Sequence, residues 1–255
     1  TQAMRRLLDT CVAMDLLIKD VDGRYINSLV ADTYLHSEGE ASMVGYARHS
    51  ADLVTPLWLH LASAVRQGSN RWQAAFNKPQ SEVFANAYSD DAARYRFMQA
   101  MHSHGAALSP AAARAVDLHG FRHFVDLGAS TGHLGVAVAE CNQQLNVTLM
   151  DLPSILPLTR RHLESSSSAA LLDQRLSLAP ADFFDSDFGT TLSKHGVSAG
   201  VAVDVVGLGR VLHDWNDAQC SAILAHISQG LPVGGGVLLV EMVLDDDRTG
   251  PLSAN

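Results

Sequence analysis

Two stretches of this 255-residue chain set residues capable of chemistry at a useful spacing. The first, Val203 to Asp217 (VDVVGLGRVLHDWND), puts His213 beside Asp214 just beyond an apolar run that reads as a buried strand. Histidine, with an ordinary pKa of about 6.5, can take and return a proton near neutral pH. An acid on its far ring nitrogen fixes the tautomer and steadies the imidazolium. The second stretch, His123 to Gly135 (HFVDLGASTGHLG), reads as strand, glycine turn and helix, which is how a nucleoside-bearing ligand is received at the edge of a parallel sheet. Nineteen residues past Gly132, the next apolar run ends in Met150-Asp151, where a carboxylate can accept from two ribose hydroxyls. The turn lacks the G-x-G-x-x-G spacing that brings backbone against a pyrophosphate, so a donor without phosphate, such as S-adenosylmethionine, suits it better. Glu241 lies in an otherwise apolar run, a costly place for a carboxylate unless it is paired, and joins the candidates. Taken alone, the His-Asp pair reads equally well as a cap on a helix starting near Asn216 or Asp217.

These side chains need a scaffold that ends several strands at one edge. From Phe121 onward, short apolar runs alternate with helical patterns, as in a parallel sheet covered on both faces. Strands are expected near 123–127, 146–150, 175–179, 201–208 and 236–243, with Ser165–Ser168 and Ser186–Gly200 as polar surface loops. Upstream, Met4, Leu7, Leu8, Cys11, Met14, Leu17 and Ile18 recur at threes and fours and predict an amphipathic helix. An Asp22-Gly23 turn then predicts a hairpin, which completes the outline of a winged helix. Helical patterns continue through Met43–Gln67, where Pro56 either kinks the helix or starts a new one, and through Ser81–Met101. The boundary is expected near Asp117–Gly120, with 1–118 as the helical region and 119–255 as the sheet domain.

Composition narrows the function. A 47% hydrophobic content suffices for a sizeable core, and a net charge of −9 disfavours nucleic acid and anionic membrane. Residues 1–75 hold seven Lys/Arg against eight Asp/Glu, so the winged-helix-like part lacks the charge a phosphate backbone requires. Three widely spaced cysteines suggest neither a disulfide framework nor a zinc cluster, and no signal-peptide pattern or long apolar run is present. A cytoplasmic protein with small-molecule partners is the expectation. His102, His104 and Asp245–Asp247 lack metal-ligand spacing, and no metal is expected.

VDLGASTG (Val125–Gly132), MDLPSI (Met150–Ile155), ADFF (Ala181–Phe184), RVLHDWND (Arg210–Asp217) and PVGGGVLLVEMVLDDDRTGP (Pro232–Pro251) resemble, in order, the S-adenosylmethionine-dependent small-molecule O-methyltransferases. With LLDTCVAMDLL (Leu7–Leu17) and AVRQGSNRWQAAF (Ala64–Phe76), the resemblance covers nearly the whole chain. It implies an α/β fold: a Rossmann-like methyltransferase sheet with helices on both faces, preceded by a partial winged-helix-like dimerisation region, hence a homodimer. It also implies that both ends are cut, with further C-terminal strands lying beyond Asn255. Carried over by position, Gly128 lies against the cofactor and Asp151 binds its ribose. Asp182 and Phe183 hold the adenine, Arg210 lines the site, and Tyr88 (NAYSD) reaches it from the helical part. His213 matches the catalytic base, with Asp214 and Glu241 as the acids beside it. The implied acceptor is a small aromatic hydroxyl, N-acetylserotonin yielding melatonin. Another small phenol, and a non-catalytic cofactor-binding or dimer-forming homologue, are the alternatives. Two departures bear on affinity: Ala129 and Ser130 replace family glycines, and Gly105 stands where relatives can have a tryptophan, which is expected to open the pocket.

Overall fold

Local capping and burial shape the elements in a computed structural model that describes residues 1–37, 39, 41–79, 90–172, 174–198 and 200–251. Two compact units divide the chain, Thr1–His104 and Gly105–Asn255.

In the first unit, Thr1 caps α1 (Gln2–Ala13), and β1 (Leu17–Lys19) pairs antiparallel with β2 (Tyr25–Asn27), Leu17 opposite Asn27. The helix stops short of the expected Ile18 because Asp15 takes a left-handed φ of 59°, which turns Leu17 and Ile18 into the hairpin. Four short helices follow: α2 (Leu29–Tyr34), α3 (Val44–His49), α4 (Thr55–Trp58) and α5 (Leu61–Gln67), with a π-helical turn at Ser50–Val54. Pro56 lies in the first turn of α4, where its missing N–H is not needed, so it starts that helix. After α6 (Trp72–Phe76) comes α7 (Asp91–Ala115), which outruns the expected end at Met101. Residues 81–89 of that expected helix, Tyr88 among them, lie outside the described residues. The division at His104 falls inside α7, upstream of the expected boundary, because Ala113 and then Leu118 pack into the sheet's core.

The second unit alternates strand and helix: β3 (His123–Leu127), α8 (His133–Cys141), β4 (Asn146–Asp151), α9 (Leu156–Glu164), β5 (Leu176–Pro180), α10 (Phe188–Ser198), β6 (Val205–Gly209), α11 (Asp217–Gly230) and β7 (Gly236–Val240). The five strands are parallel in the order β5-β4-β3-β6-β7, the Rossmann-like arrangement. Every residue of β3 is buried, since Phe124 faces one core cluster and Val125 and Leu127 face the other. Residues 201–204 precede β6 instead of belonging to it; Asp204 uses its carboxylate to accept from the N–H groups of Arg122 and His123. Ser186–Gly200, expected as a loop, contains α10. Phe188 and Leu192, one turn apart and at most 1% exposed, anchor that helix, and Gly189 meets Gly230 closely enough to seat it on α11. Ser167–Leu171, at the expected serine loop, is a short 3-10 helix capped by Ser166.

Strand order reverses beside β3: β4 and β5 lie to one side, β6 and β7 to the other. In open parallel sheets the ligand crevice opens at that switch point, beyond the carboxyl ends of the strands. Gly128, Asp151, Ala181 and Arg210 follow directly on, or end, four of these strands. Among the described residues no helix is long and apolar enough to cross a membrane.

Candidate active site

His213 occupies a 3-10 turn, Leu212–Asp214, between β6 and α11. Its Nδ1 lies 2.9 Å from Glu241 Oε2, while Nε2 stands 3.6 Å from Asp214 Oδ1, beyond hydrogen-bond range. A carboxylate can only accept, so Nδ1 carries the proton and Nε2 is left to receive another. Glu241 Oε1 also accepts from Leu212 N at 3.0 Å, which ties the acid to the backbone of the same turn. The hydrogen bond that His213 donates to Glu241 is the main influence raising the His213 pKa above its usual value, with burial opposing it and Asp214 assisting. Burial pushes the Glu241 carboxyl up, but the bond and charge of His213 outweigh it and hold the group below the usual range. Asp214 moves the other way, raised by burial and by the neighbouring Glu241 charge. Glu241 is therefore the acid that pairs with His213, although Asp214 is the neighbour in sequence.

The glycine turn sits at the head of the crevice. Gly128 adopts a φ of 72°, and a Cβ there would stand 3.1 Å from Val211 Cγ2 and 3.8 Å from Phe183, so glycine alone keeps this approach open. Ser130 adopts a left-handed φ of 51°. Its N–H donates to Asp151 Oδ2 at 2.7 Å and its carbonyl accepts from Thr159 Oγ1 at 2.6 Å. These bonds offset a conformation that costs a non-glycine residue about 1–2 kcal/mol. Asp151 also accepts from Leu152 N at 2.7 Å. Burial raises its pKa, with the two backbone N–H groups pulling it back. Each carboxylate oxygen retains acceptor capacity beyond these bonds. Asp182 accepts from Phe184 N at 2.9 Å, and Phe183, Phe184 and Trp215 pack edge to face. The Phe183 carbonyl accepts from His226 Nδ1 at 3.0 Å. Arg210, with a left-handed φ of 59°, donates its N–H to Val240 O at 2.9 Å. A turn that admits close backbone approach, an acceptor carboxylate and an aromatic face at neighbouring strand ends together fit a nucleoside ligand.

Three features of the site were not legible beforehand. The Gly105 gap is filled: a Cβ at that position would overlap the imidazole of His133, so the glycine does not open the pocket. Asp126, buried in β3, accepts from Gly135 N at 2.8 Å and caps α8 across the turn, where Gly132 has no side chain to offer. Burial raises its pKa to about 7, the Gly135 N–H opposing and the Asp151 charge adding. Finally, Glu241 takes precedence over Asp214. It depends on parallel pairing of β6 and β7, with Gly209 opposite Val240, which brings the next residue alongside the His213 turn. Among the described residues, no three or more His, Cys, Asp or Glu side chains gather as a metal site.

Residues 58–255 match the family model described as an O-methyltransferase domain. Acetylserotonin O-methyltransferase of Bos taurus is 33% identical over 258 residues, covering 99% of this chain and 69% of that protein. The 3-hydroxy-5-methyl-1-naphthoate 3-O-methyltransferase of Streptomyces sahachiroi is 32% identical over 248 residues, covering 97% of this chain and 66% of its own length. The crystal structure of human N-acetylserotonin methyltransferase in complex with SAM superposes with a TM-score of 0.84 at 29% identity, covering 99% of this chain and 68% of that one.

Proposed function

The chain belongs to the O-methyltransferase family, whose members transfer a methyl group from S-adenosylmethionine to small molecules, and from that premise we propose that it methylates an aromatic hydroxyl, with N-acetylserotonin as the acceptor. When bound, S-adenosylmethionine supplies an electrophilic methyl group on a sulfonium. Gly128, Asp151, Asp182, Phe183 and Arg210 would hold it. His213 Nε2 takes the acceptor's proton. A phenol of pKa about 10 and a histidine of about 6.5 make complete prior transfer uphill by roughly 5 kcal/mol, so the proton leaves as the oxygen attacks. Glu241 lifts the basicity of His213, narrows that gap and steadies the imidazolium. The observation that carries this reading is the His213–Glu241 bond at the same sheet edge as the glycine turn.

A naphthoate-methylating relative at 32% identity favours a second acceptor class, another small phenol. Exposed Met4 and Leu7 on α1, with Met14 capping its end, support a homodimer through the helical region, and a monomer mass by light scattering would count against it. The function is tested by calorimetric titration with S-adenosylhomocysteine beside an Asp151→Ala variant, then by assaying N-acetylserotonin and a naphthol. The expected result is binding lost in Asp151→Ala, with methylation of N-acetylserotonin abolished in His213→Ala while binding persists. Methylation of the naphthol alone would replace the acceptor. Binding without any transfer would retire the activity.

A further inference from the structure

Gly105 on α7 and His133, the first residue of α8, share one space. The atoms nearest a Cβ built on Gly105 are Nε2, Cε1 and Cδ2 of the His133 ring, so the imidazole lies where a side chain at 105 would go. Ser109, one turn along α7 and 3% exposed, anchors the ring: its hydroxyl donates to Gly105 O at 2.8 Å and lies 2.8 Å from His133 Nδ1. One hydroxyl proton serves both contacts only if Nδ1–H donates to Oγ, which makes Nε2 the acceptor nitrogen. His133 is partly exposed, and with Gly105, Ser109, Arg210 and Glu241 it lines a small cavity.

We propose that His133 is a recognition residue for the methyl donor, its Ser109-anchored imidazole forming the wall of the donor pocket that glycine at 105 leaves to it. This rests on the cofactor reading above. His133 follows the glycine turn without an intervening residue, and the cavity it lines includes Arg210, one of the residues assigned to the donor. A sulfonium is a cation, so a neutral ring suits it where a charged imidazolium would repel it. Burial, then the charges of Arg210 and His162, draw the His133 pKa down to about 4 and keep the ring neutral.

The test combines ring resonances of histidine-labelled chain with calorimetry, using S-adenosylhomocysteine as the probe. At saturation the His133 ring signals should shift while those of His195, on α10, stay in place. His133→Ala should bind roughly tenfold or more weakly, since it empties the wall. Gly105→Phe alone should also weaken binding, by overpacking against the ring. His133→Ala combined with Gly105→Phe should recover to within about threefold of the parent, since one aromatic ring again fills the space. Unmoved His133 signals, or parental affinity in His133→Ala, overturn the assignment. If the parent binds and Asp151→Ala does not, such a result retires His133 alone. A parent that does not bind retires the cofactor reading and this inference together.

Discussion

Glu241 accepts from His213 Nδ1 at 2.9 Å while Asp214 stands 3.6 Å from Nε2, so substitutions at the two acids separate orientation from proximity. Glu241→Gln keeps the shape but removes the charge that stabilises the imidazolium, and it should lower the methyl-transfer rate on the order of a hundredfold. Asp214→Asn should cost less than about tenfold, as expected for a half-exposed charge. Steady-state rates on both variants check the order, and an equal or larger loss at Asp214 would reverse the roles. The pH profile gives a second reading. As the proposed base, His213 would act only when neutral, and its pKa is raised chiefly by Glu241, with Asp214 assisting and burial and Arg210 opposing. Activity should therefore climb with pH through a midpoint above about 6.5. In Glu241→Gln that midpoint should move down.

The turn carrying His213 is held between two elements, and its far end depends on the start of α11. Asn216 accepts from Gln219 N at 3.0 Å while Gln219 Oε1 accepts from Asn216 N at 3.3 Å, a reciprocal capping box. Asn216→Ala should cost about 1 kcal/mol and lower the melting temperature by about 2–4 °C, with affinity for S-adenosylhomocysteine unchanged. Scanning calorimetry with a binding titration tests this, and lost affinity would show that the cap also shapes the ligand crevice. This helix start was readable in advance because capping is local chemistry. The start of α10 was not: its segment is polar by composition, and Phe188 and Leu192 become anchors only against α11.

Across the whole molecule, buried ionisable groups set how stability follows pH. Asp126 holds its proton up to about pH 7 in the fold, whereas an unfolded aspartate ionises near 3.9. Between those values the folded chain binds more protons, so this group's contribution is lost as pH rises from about 4 through about 7. His133 works in the other direction. It is neutral in the fold down to about pH 4 and protonated below about 6.5 when unfolded, so its contribution is lost as pH falls through that window. Asp126→Asn should flatten the decline of melting temperature between pH 5 and 7.5, which a series of thermal melts measures. An unchanged slope would mean that Asp126 ionises normally in the fold.

Local pattern alone determined the alternating strands and helices, the glycine turn with Asp151 nineteen residues on, and His213 beyond a buried strand. Those features are written in neighbouring residues, since burial on both faces makes an apolar run and a turn needs residues tolerant of positive φ. Tertiary structure decided which acid pairs with His213, because 28 residues separate Glu241 from it and only the pairing of β6 with β7 closes that distance. It also decided how Ser130 holds its left-handed conformation, through Asp151 and Thr159, and what fills the space at Gly105. In each case the hydrogen-bond partner or packing neighbour is selected by strand register and helix packing, which bring together residues that no local spacing relates.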